Sequence, residues 1–164
     1  SSGAIWFTQS TRNTAGPTSH PRLFEPFNSY ATDGALYRLF AAEIRHFIAH
    51  ACADLCEFTR PLNAAVDTLD ELTEWLLDKA RSNPNEIGAA SVEYLHVFGY
   101  TAYAYLWARM AKAAMSTHST DGFYASKLAT ARFYFARLLP RIDSLSASAM
   151  AGSACLFALP AEQF

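Results

Sequence analysis

Apolar residues recur along most of this chain at three- and four-residue steps, the period of an α-helix that buries one side. Leu36, Phe40, Ile44, Phe47, Ala51, Leu55 and Phe58 form the first such stripe. It predicts a helix that starts at Thr32 or Asp33, either of which is a good cap. Thr59-Arg60-Pro61 marks its end, and Pro61 suits the first turn of a second helix. That helix repeats Leu62, Val66, Leu69, Leu72 or Thr73, Leu76 and Ala80, and its other side is acidic: Asp67, Asp70, Glu71, Glu74 and Asp78. Asn83-Pro84-Asn85-Glu86 is the sharpest punctuation in the chain. Asn83 can cap, Pro84 fits the first helical position, and Glu86 stands where a capping box places its carboxylate. A third helix is expected from Pro84 to Met115 or Ser116, and a fourth from about Asp121 to Ala147, kinked or interrupted at Pro140 for want of a backbone N–H. Lys127, Arg132, Arg137 and Arg141 on that fourth helix can face the acidic second one. No alternating strand pattern and no internal repeat is visible.

The pattern changes character in the third helix. From Val97 to Ala108 no side chain is charged, and Phe98, Tyr100, Tyr103, Tyr105 and Trp107 fall within that run. A helix apolar around its whole circumference is expected to be buried, and this run is too short to span a bilayer, where about 20 apolar residues are needed. It predicts the central helix of the assembly. Residues 1–32 differ again: they are rich in Ser, Thr and Asn, and Pro17, Pro21 and Pro26 interrupt any period. They read as an irregular arm or linker, with Trp6, Phe7, Phe24, Phe27 and Tyr30 as anchors on a helical surface. The expected fold is therefore all-α, a four-helix bundle, mostly antiparallel, over residues 33–164 with an irregular N-terminal arm. The tail from Leu156 to Phe164 is apolar enough to dock on it.

A length of 164 residues suits one domain with its own core. Hydrophobic residues make up 51% and charged residues only 17%, which points to apolar surface meant for a partner, another subunit or more of a longer polypeptide. The net charge of −2 gives no pull toward nucleic acid or anionic membrane. Three cysteines without framework spacing fit a reducing cytoplasm better than a disulfide scaffold. The early cluster Ala4 to Phe7 is far too short for the apolar part of a secretory leader, and no transmembrane segment is evident.

Candidate chemistry is sparse. Glu43, His46, His50 and Asp54 are spaced three, four and four, so one helix is expected to carry all four on a narrow stripe, and His with carboxylates can bind zinc or iron. Di-iron bundles, however, need Glu-x-x-His from more than one helix, and Glu43-Ile44-Arg45-His46 has no second copy, so a polar edge is the plainer reading and no metal site is assigned. Cys52 and Cys56 lack redox or zinc-finger spacing and read as packing residues. Glu93 and His96 have no third residue to orient them as an acid–base pair. Tyr94, Tyr100, Tyr103, Tyr105 and Trp107 can be a stacking platform for a flavin or adenine, but at helical spacing they read first as core. No catalytic residue is assigned, and no cofactor-binding residue is identified.

The order of segments nevertheless resembles the C-terminal helical domain of bacterial acyl-CoA dehydrogenases, in particular the long subgroup that includes methylmercaptopropionyl-CoA dehydrogenases. The resemblance runs from about Tyr37 to Phe164. Its signs are LDELTEWLLDKA (Leu69 to Ala80), the junction Asn83 to Glu86, AASVEYLHVFGY (Ala89 to Tyr100), YLWARMAKAA (Tyr105 to Ala114) and FYASKLATARFYFARLL (Phe123 to Leu139). It implies a part in FAD-dependent α,β-dehydrogenation of an acyl-CoA thioester, with electrons leaving to an electron-transfer flavoprotein. In that family a glutamate base takes the α-proton and the flavin receives the β-hydrogen as hydride. That machinery belongs to upstream domains, so the resemblance carries no catalytic residue onto this chain. It implies instead a cytoplasmic accessory domain, inactive alone, in a homo-oligomer. Two other readings stand beside it: an independent helical interaction module with an apolar groove for a partner helix or acyl chain, and a metal-binding bundle around Glu43, His46 and His50.

Overall fold

A computed structural model describes residues 34–117, 122–159 and 163 of the chain. The proposed caps Thr32 and Asp33, the aromatic anchors of the arm, Asp121, and most of the final residues from Pro160 lie outside that set. Among the described residues the chain is all-α, with no strand. Helix α1 spans Ala35–Ala49, α2 Cys56–Ser82, α3 Asn85–Ser116, α4 Gly122–Arg137 and α5 Arg141–Met150. Single 3-10 turns cover Ala53–Leu55 and Ala154–Phe157.

Contacts between residues far apart in sequence give the directions. Arg38 meets Glu74 and Arg45 meets Asp67, so α1 and α2 are antiparallel. Thr73 meets Tyr94 across the turn from α2 into α3, which reverses the chain again. Arg141 reaches Tyr100 while Ser153 reaches Glu86, so the chain after Pro140 runs back along α3. Helix α3 is central, packed on α2, α4 and α5, and α1 lies against α2. This is the expected bundle, with the fourth helix cut in two at Pro140. There Leu138 and Leu139 both donate to the Tyr134 carbonyl, at 2.9 and 3.0 Å, and Arg141 turns back to Leu138 at 3.2 Å. The helical ladder breaks where proline cannot donate.

Helix α2 supplies much of the core. Phe58, Leu62, Val66, Leu69, Leu72 and Leu76 are fully buried, with Ile44 of α1 and Val97 of α3 against them. The predicted apolar face of α2 is thus the buried one, apart from half-buried Ala80.

Three expectations need correction. The first helix does not reach Phe58: α1 ends at Ala49, and α2 already begins at Cys56. The apolar stripe misled because Leu55 and Phe58 keep facing the core after the chain turns. The turn Ala53–Leu55, closed by Leu55 N–H donating to Cys52 O at 3.0 Å, starts the helical rise before Pro61. Pro61 sits one turn inside α2, where the missing N–H costs a single bond near a helix start. Secondly, the acidic side of α2 is met by arginines of α1, while of the fourth helix's basic residues Arg132 reaches α2 at Glu57 in its first turn. Arg45 binds Asp67 at 2.8 Å and also Asp70, which accepts from Tyr37 as well. Arg132 of α4 instead grips Glu57 through two nitrogens at 2.9 and 2.8 Å. Thirdly, α3 is not buried all round.

Candidate functional site

Helix α3 is inside-out by size. Its buried side holds Ala90, Thr101, Ala104, Ala108, Ala111 and Ala114, small residues that let α2, α4 and α5 approach closely, together with Tyr94, Val97 and Tyr105. Its opposite side leaves Val92 and Tyr103 60% exposed, Leu106 46%, Met110 39% and Leu95 37%. These residues follow helical spacing, so they form one stripe along a rod that rises about 1.5 Å per residue, roughly 27 Å from end to end. No lysine, arginine or carboxylate falls on it, since Glu93 and Arg109 lie toward the flanks. In the middle stands Gly99. A Cβ built there would meet nothing within 4 Å. Glycine inside a helix costs about 1 kcal/mol relative to alanine, and no contact among the described residues accounts for it here. Exposed His96, three residues before Gly99, is the polar residue beside this otherwise apolar stripe.

At the N-terminal end of α3 the predicted capping box takes a different form. Asn83 Oδ1 accepts from Asn85 N–H at 3.2 Å, and the Asn83 N–H donates to Lys79 O at 2.9 Å, closing α2. Glu86 therefore does not reach back to the Asn83 backbone as a capping box would have it. Its carboxylate accepts from the Asn83 side-chain amide at 3.0 Å, and from the Ser153 N–H and hydroxyl at 2.9 and 2.7 Å. These hydrogen bonds, above all that from the Ser153 hydroxyl, hold the Glu86 carboxyl below its ordinary value. Gly152, at φ 79°, turns the chain into this clasp, and a Cβ there would stand 3.4 Å from Glu86 Oε2. The clasp was half legible: Asn83 and Glu86 stood out, but nothing in the sequence marked Ser153 as their partner 67 residues beyond Glu86.

The other candidates are dispersed. Glu43 accepts from the Tyr105 hydroxyl at 2.8 Å, and burial followed by this bond raises the Tyr105 pKa. His46 and His50 stack at the exposed end of α1, ring centres 4.1 Å apart, with His50 Nδ1 2.8 Å from the His46 carbonyl. Asp54 lies past the end of α1 in the 3-10 turn, so one helix does not carry all four of these residues. Among the described residues no group of three or more His, Cys, Asp or Glu is placed to hold a metal ion.

Cys52, Cys56 and Cys155 are all exposed thiols, so Cys52 and Cys56 are not packing residues as expected. Half-buried Glu93 and exposed His96 share a turn of α3. Tyr94 is core: its hydroxyl lies 3.0 Å from Thr73 Oγ1, and burial raises its pKa. Tyr134, which the sequence did not single out, donates to the Tyr100 carbonyl at 2.8 Å, and burial pushes its pKa up. Trp107 packs near Tyr134, whereas Tyr103 stands out in the α3 stripe.

Among the described residues Tyr94 faces the core and Tyr103 the outside, so these aromatics do not share one face. A cleft of about 170 Å³ lies elsewhere, between α2 and the kink at Pro140, lined by Pro61, Thr68, Phe135, Ile142 and Asp143 among others. It is smaller than the roughly 300–1,000 Å³ of ordinary ligand sites, and no step of flavin chemistry is assigned to these residues.

No helix among the described residues is long and apolar enough to cross a membrane. No curated protein matches the chain. The family model described as "Acetyl-CoA dehydrogenase C-terminal like" matches residues 40–160. That span takes in nearly all of the bundle, from within α1 past the Glu86–Ser153 clasp, and the chain belongs to this acetyl-CoA dehydrogenase C-terminal-like family.

Proposed function

We propose that this chain is the non-catalytic C-terminal helical domain of an FAD-dependent acyl-CoA dehydrogenase. It supports packing, substrate access or subunit contacts while the rest of the enzyme carries out α,β-dehydrogenation of an acyl-CoA thioester. The observation that carries this reading is the family match across the bundle. The open stripe on α3 agrees with it, because a domain that works by contact needs an apolar surface more than a reactive centre. The flavin, the acyl-CoA and an electron-transfer flavoprotein are then ligands and partners of the whole enzyme in the cytoplasm. The methylmercaptopropionyl-CoA dehydrogenase-like subgroup is the finer assignment, and it rests on the segments from Leu69 to Leu139.

Native purification from the source organism, followed by intact mass and a visible absorption spectrum, tests the reading. A yellow species in which these residues belong to, or travel with, a larger flavin-bearing polypeptide is the expected result. A colourless species of about 18.1 kDa with no such companion overturns it. That outcome favours the second reading, an independent interaction module, for which the α3 stripe is the specific observation.

A further inference from the structure

The large residues on the outer side of α3 are arranged almost symmetrically about Gly99. Leu95 and Tyr103 stand four residues before and after it, and Val92 and Leu106 stand seven before and after. All four are exposed, and the space above Gly99 is open. Such an order suits a two-fold axis, on which one patch must complement itself and residue i meets residue j while j meets i. We propose that α3 pairs with α3 of a second copy of this chain, the two helices crossing antiparallel at Gly99.

The crossing sets Leu95 of each copy against Tyr103 of the other and Val92 against Leu106. Gly99 lets the two backbones approach closely, which accounts for a mid-helix glycine that no contact among the described residues requires. Charge agrees as well: the stripe has no lysine, arginine or carboxylate, and the crossing sets exposed His96 against Ala102 of the other copy, away from its own counterpart. With Met110, five side chains from each copy join the contact. Each offers on the order of 100 Å², about half of what a large aromatic buries. Ten together then give roughly 1,000 Å², the lower bound for a specific interface. The pairing is accordingly weak, with a dissociation constant in the micromolar range. The inference sharpens the subunit-contact role proposed above and rests on that reading for its place in an enzyme, but its test reads association and needs no flavin.

Sedimentation velocity of the 164-residue chain from about 1 to about 200 µM is the deciding measurement. The expected result is a reversible monomer–dimer equilibrium. Tyr103→Glu, which sets like charges near the axis, and Gly99→Trp, which fills the crossing, each weaken it at least tenfold. Leu39→Glu, at an exposed residue on α1 off the stripe, leaves it unchanged. Circular dichroism checks that each variant is folded, and Gly99→Ala, which has open space for its methyl group, gives a reading if a larger change disrupts the helix. A chain that stays monomeric throughout assigns the stripe to another occupant, such as the remainder of a longer polypeptide, and overturns the proposal. A dimer indifferent to both Tyr103→Glu and Gly99→Trp overturns it equally. Failure here leaves the dehydrogenase reading standing, because that reading depends on flavin and a companion polypeptide.

Discussion

Thr73 has one hydroxyl proton, and it goes to the Leu69 carbonyl at 2.6 Å. The Tyr94 hydroxyl must therefore be the donor in the 3.0 Å contact between these two residues. Both lie in the core between α2 and α3. Tyr94→Phe removes the bond to Thr73 and leaves Thr73 still paired with Leu69, so the loss of that bond should cost about 1 kcal/mol, the usual net value of a hydrogen bond. Urea unfolding should show a lower midpoint with an unchanged slope. A changed slope would mean that the hydroxyl organises more than its own pair. The sequence marked Tyr94 as an aromatic of the central helix, but nothing in it pointed to Thr73 as the partner. The two come together because α2 and α3 fold back on each other about Asn83 and Pro84.

At the scale of elements, the break at Pro140 behaves as local chemistry leads one to expect, while the other helix ends depend on distant residues. Pro140 interrupts the fourth helix as its missing N–H requires, and the sequence showed that plainly. The clasp at the start of α3 combines Asn83 and Glu86 with Ser153, which arrives only when α5 runs back along α3. Gly152 makes the return possible at φ 79°. A residue with a Cβ in that left-handed conformation costs about 1–2 kcal/mol, and here its methyl group would also touch the Glu86 carboxylate. Gly152→Ala should accordingly lower the melting temperature by roughly 2–4 °C per kcal/mol lost. Limited proteolysis should then cut more readily between Gly152 and Leu159. Unchanged melting and cleavage would show that the clasp tolerates a different backbone.

For the whole molecule, the titrating groups predict an asymmetric response to pH. Glu86 and Glu57 are held below the ordinary carboxylate value of 4.5, Glu86 chiefly by the Ser153 hydroxyl and Glu57 by the Arg132 guanidinium. A carboxyl whose folded pKa is depressed stabilises the fold above its unfolded pKa and loses that contribution as the pH falls through the folded value. Stability should therefore fall below about pH 4.5, and Glu86→Gln should flatten that limb. Both groups are near solvent, so the effect is modest and salt-sensitive. The tyrosines act at the other end. Burial raises Tyr37, Tyr94, Tyr105 and Tyr134, and Tyr37 is raised further by its bond to Asp70. A tyrosine with a raised folded pKa favours the fold below the unfolded value of about 10 and loses that contribution above it. Denaturant midpoints measured across pH should show a plateau between these limits, and an acid limb that Glu86→Gln leaves unaltered would contradict the assignment.

The sequence by itself determined that this chain is helical, where α2 ends and α3 lies, which face of α2 is buried, and that Pro140 breaks the fourth helix. Each of these follows from a periodicity or a backbone restriction acting over a few neighbouring residues. Only the tertiary structure decided where the first helix stops, since Leu55 and Phe58 keep their place in the core across a turn and the apolar period runs on through it. It also decided which charges meet, giving the acidic side of α2 to the arginines of α1. Above all it decided which side of α3 is covered. Both sides are apolar, so hydrophobicity could not rank them. The bundle buries the side rich in alanine, with Thr101, Tyr94 and Tyr105, where neighbouring helices can come close, and leaves Val92, Leu95, Tyr103, Leu106 and Met110 exposed.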